Sequence, residues 1–168
     1  ERIANPVIAH AMAQNDMAPI RKVYHRSAHF LLLLGGWMFC VVVLNVHDLL
    51  LMLPPGYAAG GPVAVLIATG AFVNMATGIN YPILANSNKY IYGSAFLVVL
   101  LILTVLGNWL LIPHLGMMGA AVTACGASIV FNALKFEFIR RKFGMQPFDK
   151  NTLHSLVLLA AVILSLMF

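Results

Sequence analysis

Residues 90–134 read YIYGSAFLVVLLILTVLGNWLLIPHLGMMGAAVTACGASIVFNAL and contain no Asp, Glu, Lys or Arg. A bilayer core about 30 Å thick needs roughly 20 mostly apolar residues of helix to cross it. The stretch is therefore long enough for two crossings, with a turn at Pro113 and Gly116. Further uncharged stretches occupy 30–46, 62–88 and 152–168. This pattern predicts an integral membrane protein.

The composition also argues against a soluble domain. The chain is 61% hydrophobic and only 9% charged, whereas soluble domains carry about 25% charged residues. The net charge of +5 does not predict a nucleic-acid partner, because no basic block stands amid polar surface residues. Cys40 and Cys125 lie inside apolar segments without metal-ligand spacing. We therefore expect no metal and no cofactor.

Breaks between the apolar stretches predict an all-α, polytopic transmembrane bundle with about five membrane helices. The Pro54-Pro55-Gly56 cluster and the polar turn 86–89 supply two of these breaks. Pro82 is expected to kink the second helix. The predicted spans cover about 28–53, 62–85, 90–112, 117–141 and 152–168.

The predicted spans divide the chain into four parts. Residues 1–26 form a cytoplasmic amphipathic segment, in which Asp16 is expected to cap a second short helix. Residues 27–142 form a four-helix transmembrane bundle, and 143–151 form a cytoplasmic linker. Residues 152–168 form a truncated additional membrane helix. Because the chain begins with Glu1 and ends inside an apolar run, we expect a piece of a larger, transporter-sized protein.

The basic residues fall in alternate gaps between the spans. Arg21, Lys22 and Arg26 precede the first span, and Lys89 lies between the second and third. A further basic group follows the fourth span, namely Lys135, Arg140, Arg141, Lys142 and Lys150. Cytoplasmic loops of membrane proteins carry an excess of Lys and Arg. The regions before 27, around 89 and at 142–151 are therefore predicted to be cytoplasmic.

Polar residues inside the spans are the candidate site. Asn74, Thr77 and Tyr81 occur at i, i+3 and i+7, which places them on one helix face. Asn132 aligns with Lys135 on the fourth span, although Lys135 is expected to snorkel to the nearby interface. Two interpretations stay open. The residues Asn74, Thr77, Tyr81 and Asn132 either bind a polar substrate in a solvated cleft or hydrogen-bond to neighbouring helices.

Covalent catalysis is not predicted from these residues. The six histidines are scattered, and no nucleophile–base set, glycine-rich phosphate loop or pair of intramembrane acids occurs in the sequence. We therefore expect no catalytic residues and no enzyme activity.

Four stretches of this chain resemble the C-terminal half of the polysaccharide-export flippases, within the multidrug/oligosaccharidyl-lipid/polysaccharide exporter superfamily. The most specific stretch is 108–121, NWLLIPHLGMMGAA, which is similar to the turn joining the family's eleventh and twelfth helices. The other stretches are 5–9 (NPVIA), 84–89 (LANSNK) and 144–148 (GMQPF). At Asn88 the chain departs from the family, which often has glycine there.

The resemblance implies a larger two-lobed transporter that works by alternating access in a bacterial inner membrane. Its partners would be the lipid bilayer, a lipid-linked oligosaccharide or polysaccharide precursor, and a missing N-terminal lobe of the same chain. The fifth span would correspond to an extra helix of the polysaccharide branch. Alternative functions are a cation-coupled multidrug antiporter of the same superfamily, a membrane-embedded glycan-assembly enzyme, and a scaffold without transport.

Overall fold

The structure is a computed structural model that describes residues 4–14, 16–148 and six later positions, 152, 154, 155, 157, 158 and 161. Within those residues the fold is all-helical. The helices are α1 (Ala4–Ala13), α2 (Met17–Leu51), α3 (Gly61–Ala76), α4 (Asn80–Ala85), α5 (Tyr90–Leu115) and α6 (Met117–Phe143), with a 3-10 helix at Pro55–Gly60.

Three of these helices, α2, α5 and α6, are long and apolar enough to cross a membrane. The helix α3 is apolar but shorter, at 16 residues. These findings confirm the helical, membrane-type architecture that the uncharged stretches predict. The predicted fifth span, 152–168, lies for most of its length outside the described residues.

The helix α2 is one continuous element of 35 residues, where the sequence predicts a short helix followed by a separate span. Asp16 caps it as expected, because its side chain accepts a hydrogen bond of 3.0 Å from the backbone N–H of Ala18. No proline follows Pro19 within the helix, and the basic residues from Arg21 to Arg26 are good helix formers. The predicted boundary at 26/27 therefore falls inside a helix.

The turn between α5 and α6 lies at Gly116, three residues after the proline that was expected to end the helix. Pro113 lies inside the last turn of α5. It lacks the N–H that would bond to the Trp109 carbonyl, but the helix continues for only two more residues, to Leu115. Gly116 takes a φ of +55° and its N–H donates to the Ile112 carbonyl at 2.8 Å. A positive φ suits glycine, so Gly116 ends the helix.

The helices α5 and α6 approach closely just after this turn. A Cβ atom placed on Gly119 would lie 2.4 Å from the Leu111 carbonyl oxygen, and one on Gly107 would lie 2.5 Å from Cγ2 of Thr123. Small residues are common where membrane helices pack backbone to backbone. Most of the outward face of α5 is exposed, including Leu101, Val105 and Trp109.

The buried apolar core lies at the end of the bundle where α1, α2, α4 and α6 meet. It is built from fully buried side chains of all four helices, among them Ile8, Ile20, Tyr24, Ile83, Leu84 and Ile139. This core fixes α4 between α2 and α6, and so positions the polar residues described below.

The predicted second span is divided into α3 and α4 by a break at residues 77–79. Gly78 takes a φ of +71° and its N–H donates to the Met75 carbonyl at 3.0 Å. A Cβ atom there would lie 2.9 Å from Ala28 Cβ on α2. The break occurs at Gly78 and not at Pro82, which lies within α4.

Gly78→Ala is expected to lower the free energy of unfolding by about 3 kcal/mol, because backbone strain adds to the clash with Ala28. Gly144→Ala is the matched control, since Gly144 has a φ of +60° but no heavy atom within 4 Å of its Cβ position. Gly144→Ala should lower the free energy of unfolding only by the cost of backbone strain, about 1 kcal/mol. Thermal unfolding of the intact protein in detergent measures both, and equal losses would show that the contact with Ala28 is unimportant.

Candidate ligand-binding cavity

A chain of hydrogen bonds joins α3 to α6 inside the bundle. The Thr77 hydroxyl donates to Oδ1 of Asn132 at 2.9 Å, and the Asn132 amide donates to the Ser128 carbonyl at 2.9 Å. Ser128 Oγ in turn donates to the Gly70 carbonyl at 3.1 Å. Thr77 and Asn132 are 8% and 1% exposed. Both side chains therefore have partners inside the bundle and hold the two helices together.

A second buried polar contact joins α2 to α4. The Tyr24 hydroxyl donates a hydrogen bond to Oδ1 of Asn80, and both residues are fully buried. Nδ2 of Asn80 has no hydrogen-bond partner within the part of the chain that the structure describes. Sequence reasoning missed this pair because Asn80 does not lie on the face of 74, 77 and 81 in an unbroken helix. The break at Gly78 changes that register.

Beside these contacts lies a cavity of about 710 Å³, bounded by α1, α2, α6 and the α3–α4 break. Its walls are mainly apolar, with Val7, Leu31 and Ile79 contributed by α1, α2 and the α3–α4 break. The polar or charged side chains on the wall are Ser27, Asn74, Tyr81 and Lys135. An apolar cavity with a few convergent polar groups is the usual form of a ligand site.

Lys135 carries the only formal charge among the described residues that line this cavity. It is 4% exposed, and its Nζ lies 4.1 Å from the centroid of the Phe131 ring. Its ammonium group therefore lies beside the cavity, and snorkelling of Lys135 to the interface stays a prediction. Phe131, one turn earlier on α6, offers an aromatic face that attracts an ammonium group, and it keeps the side chain beside the cavity.

The structure separates the four sequence-predicted site residues into two pairs. Asn74 and Tyr81 line the cavity, and both are exposed, Tyr81 by 42%. Thr77 and Asn132 pair with each other and are absent from its wall. Thr77 and Asn132 therefore form a hydrogen bond between helices. Binding of a polar substrate stays open for Asn74 and Tyr81.

Other charged residues of α6 lie away from the cavity, at the end of the helix. Glu137 pairs with Arg140 and Arg141 at i+3 and i+4 on the surface, and such exposed pairs contribute little to stability. Among the described residues no group of three His, Cys, Asp or Glu side chains could hold a metal ion. Apart from Lys135, the described polar groups on the cavity wall are neutral.

This arrangement suits an amphipathic ligand with an anionic or hydroxyl-rich part. The apolar walls would contact its hydrocarbon portion, Asn74 and Tyr81 would hydrogen-bond to its polar portion, and Lys135 would attract negative charge.

Comparison with protein-family models, with curated proteins and with solved structures finds no match to this chain.

Proposed function

We propose that this chain is part of a flippase that moves a lipid-linked oligosaccharide or polysaccharide precursor across a bacterial inner membrane. It would do so by alternating access, as one lobe of a two-lobed transporter whose other lobe belongs to the same protein. Such a protein binds its substrate in two states and exchanges between them. No covalent step is required.

The cavity beside the α3–α4 break is the observation that carries this proposal. It combines apolar walls with Asn74, Tyr81 and the buried cation Lys135. A polyprenyl-diphosphate-linked glycan presents the complementary groups, because it joins a hydrocarbon chain and sugar hydroxyls through phosphates. Asn74 and Tyr81 would bind hydroxyl groups, and Lys135 would bind a phosphate oxygen.

The alternation of basic residues along the chain indicates the side of the membrane from which the substrate would enter the cavity. Arg21, Lys22 and Arg26 at the start of α2 and Arg140 and Arg141 at the end of α6 would face the cytoplasm. The cavity is lined by residues near these same ends, Val23 and Lys135 among them. The substrate would therefore enter from the cytoplasmic leaflet, where its glycan is assembled.

The charge on the cavity wall also helps to distinguish a flippase from the alternative, a cation-coupled multidrug antiporter. Such a protein is expected to place acidic residues inside its cavity, and none of the described residues on this wall is acidic. A positively charged drug would instead meet the ammonium group of Lys135, which repels it. This charge supports an anionic substrate in preference to a cationic one.

Asn74→Leu combined with Tyr81→Phe is expected to slow substrate flipping about tenfold, because each change removes one neutral hydrogen bond. The measurement is the flipping rate of a polyprenyl-diphosphate-linked oligosaccharide in proteoliposomes that contain the intact protein. Asn45→Leu combined with Tyr57→Phe makes the same chemical changes at two exposed positions away from the cavity, and should leave the rate unchanged.

Two outcomes would count against the proposal. An unchanged rate in the Asn74→Leu, Tyr81→Phe variant would show that this cavity face does not bind the substrate. Proton- or sodium-driven drug export by the intact protein, without flipping, would favour the antiporter alternative.

A further inference from the structure

A second, smaller cavity of about 340 Å³ lies at the start of α2, on the end of the bundle that carries the basic residues. His25, Arg26 and His29 line it, and Pro147 and Thr152 from the segment after α6 form its other wall. None of its described lining residues is acidic. Arg26 supplies a permanent positive charge, and each imidazole supplies at least one N–H donor.

An exposed apolar stripe continues from this pocket along α2. Arg26, Phe30, Leu33 and Trp37 follow one another at spacings of four, three and four residues, so that they share one helix face. Phe30 and Leu33 also line the pocket, and Phe30, Leu33 and Trp37 are 64%, 49% and 64% exposed. The face thus runs from a cationic end into a stretch of apolar side chains.

We infer that this surface binds an anionic phospholipid of the cytoplasmic leaflet. The phosphate of the headgroup would lie in the pocket of His25, Arg26 and His29, and one acyl chain would lie along Phe30, Leu33 and Trp37. The order of charge and apolar surface along α2 matches the order of phosphate and acyl chain in a lipid. Basic pockets beside membrane helices on the cytoplasmic side bind anionic headgroups in this way.

The site is separate from the proposed substrate cavity. The two share the Phe30 side chain, but Lys135, Asn74 and Tyr81 line only the larger cavity, and Arg26 lines only the smaller one. The inference concerns a resident lipid and does not depend on the identity of any transported substrate.

The test compares the affinity of the intact protein for phosphatidylglycerol and phosphatidylcholine in mixed detergent micelles, by native mass spectrometry. The unaltered protein should bind phosphatidylglycerol more tightly than phosphatidylcholine. Arg26→Gln should weaken phosphatidylglycerol binding about fivefold, the contribution expected from one basic residue at this position. Adding His29→Gln should weaken it further, and neither change should alter phosphatidylcholine binding.

Arg21→Gln is the matched control, because Arg21 is an exposed basic residue of the same helix that does not line the pocket. Its phosphatidylglycerol affinity should stay near that of the unaltered protein. Equal weakening by Arg21→Gln and Arg26→Gln would overturn the site, since it would indicate general surface electrostatics. Equal binding of the two lipids by the unaltered protein would overturn it as well.

A competition measurement distinguishes a lipid from a soluble anion. Excess inorganic phosphate should not displace phosphatidylglycerol, because it cannot contact Phe30, Leu33 and Trp37. Displacement by inorganic phosphate would assign the pocket to a soluble anion and overturn the lipid assignment.

Thermal unfolding in phosphatidylcholine micelles shows whether each variant is folded. Because Arg26 is exposed, its replacement should preserve the fold.

Discussion

Gly119→Ala is expected to destabilise the protein by about 3 kcal/mol, a large fraction of the roughly 5–15 kcal/mol that separates folded from unfolded domains. The added methyl group would lie 2.4 Å from the Leu111 carbonyl oxygen, 2.5 Å from the Leu111 carbonyl carbon and 2.9 Å from the Ile112 nitrogen. These are backbone atoms, which cannot move aside as a flexible side chain can. Relief of the clash would require α5 and α6 to separate beside their turn.

Thermal unfolding of the intact protein in detergent, followed by circular dichroism, measures this effect. Gly126→Ala is the control, because Gly126 lies on the same helix and has no heavy atom within 4 Å of its Cβ position. Alanine favours helix over glycine by up to about 1 kcal/mol, so Gly126→Ala should be neutral or stabilising. Similar stability of the two variants would contradict the close packing of α5 against α6.

Lys135→Met is expected to reduce flipping of a diphosphate-linked glycan by about tenfold or more, because charge-assisted hydrogen bonds contribute about 1.5–3 kcal/mol. Lys135 is the only described charge on the wall of the proposed substrate cavity, and it lies beside the Phe131 ring. Methionine has a similar length and no charge, so the cavity should keep its shape. The measurement is the flipping rate in proteoliposomes.

Two further variants separate a binding role of Lys135 from a structural one. Lys142→Met removes an exposed charge from the end of the same helix and should leave flipping unchanged. Lys135→Arg retains the charge and should preserve most of the activity. If Lys135→Met and Lys135→Arg lose activity and thermal stability together, Lys135 supports the fold and does not bind substrate.

Much of the architecture can be predicted from apolar length and from capping chemistry. The uncharged stretches predict helices of the membrane-spanning type, Asp16 marks the start of α2, and residues 86–89 separate α4 from α5. These features are local, so one sequence window contains the physical cause. The structure confirms them for α2, α5 and α6.

The turn at Gly116 was predicted from the sequence, whereas the break that divides the predicted second span at Gly78 was not. Pro82 and Pro113 are both tolerated within helices, whereas Gly78 and Gly116 adopt positive φ angles and end them. Gly78 also lies against Ala28, distant in sequence. No local pattern distinguishes such a glycine from Gly126, which lies inside an uninterrupted helix.

The same break explains how far the site could be predicted. The periodicity of an unbroken helix places Asn74, Thr77 and Tyr81 together, but the chain changes direction after Thr77. Thr77 therefore turns to Asn132, and Tyr81 lines the cavity beside Asn74. Lys135 is buried beside the Phe131 ring, on the wall of a cavity that α2 and α4 also line. Helix spacing alone does not predict this arrangement.

We propose that the protein moves a lipid-linked glycan precursor across the inner membrane. The most direct measurement depletes the intact protein in its host and determines the leaflet in which the lipid-linked precursor accumulates. Depletion should trap the precursor in the cytoplasmic leaflet and abolish surface polysaccharide. The unaltered protein should reverse both defects, and the Lys135→Met variant should not. Normal export with the precursor evenly accessible from both sides would contradict it.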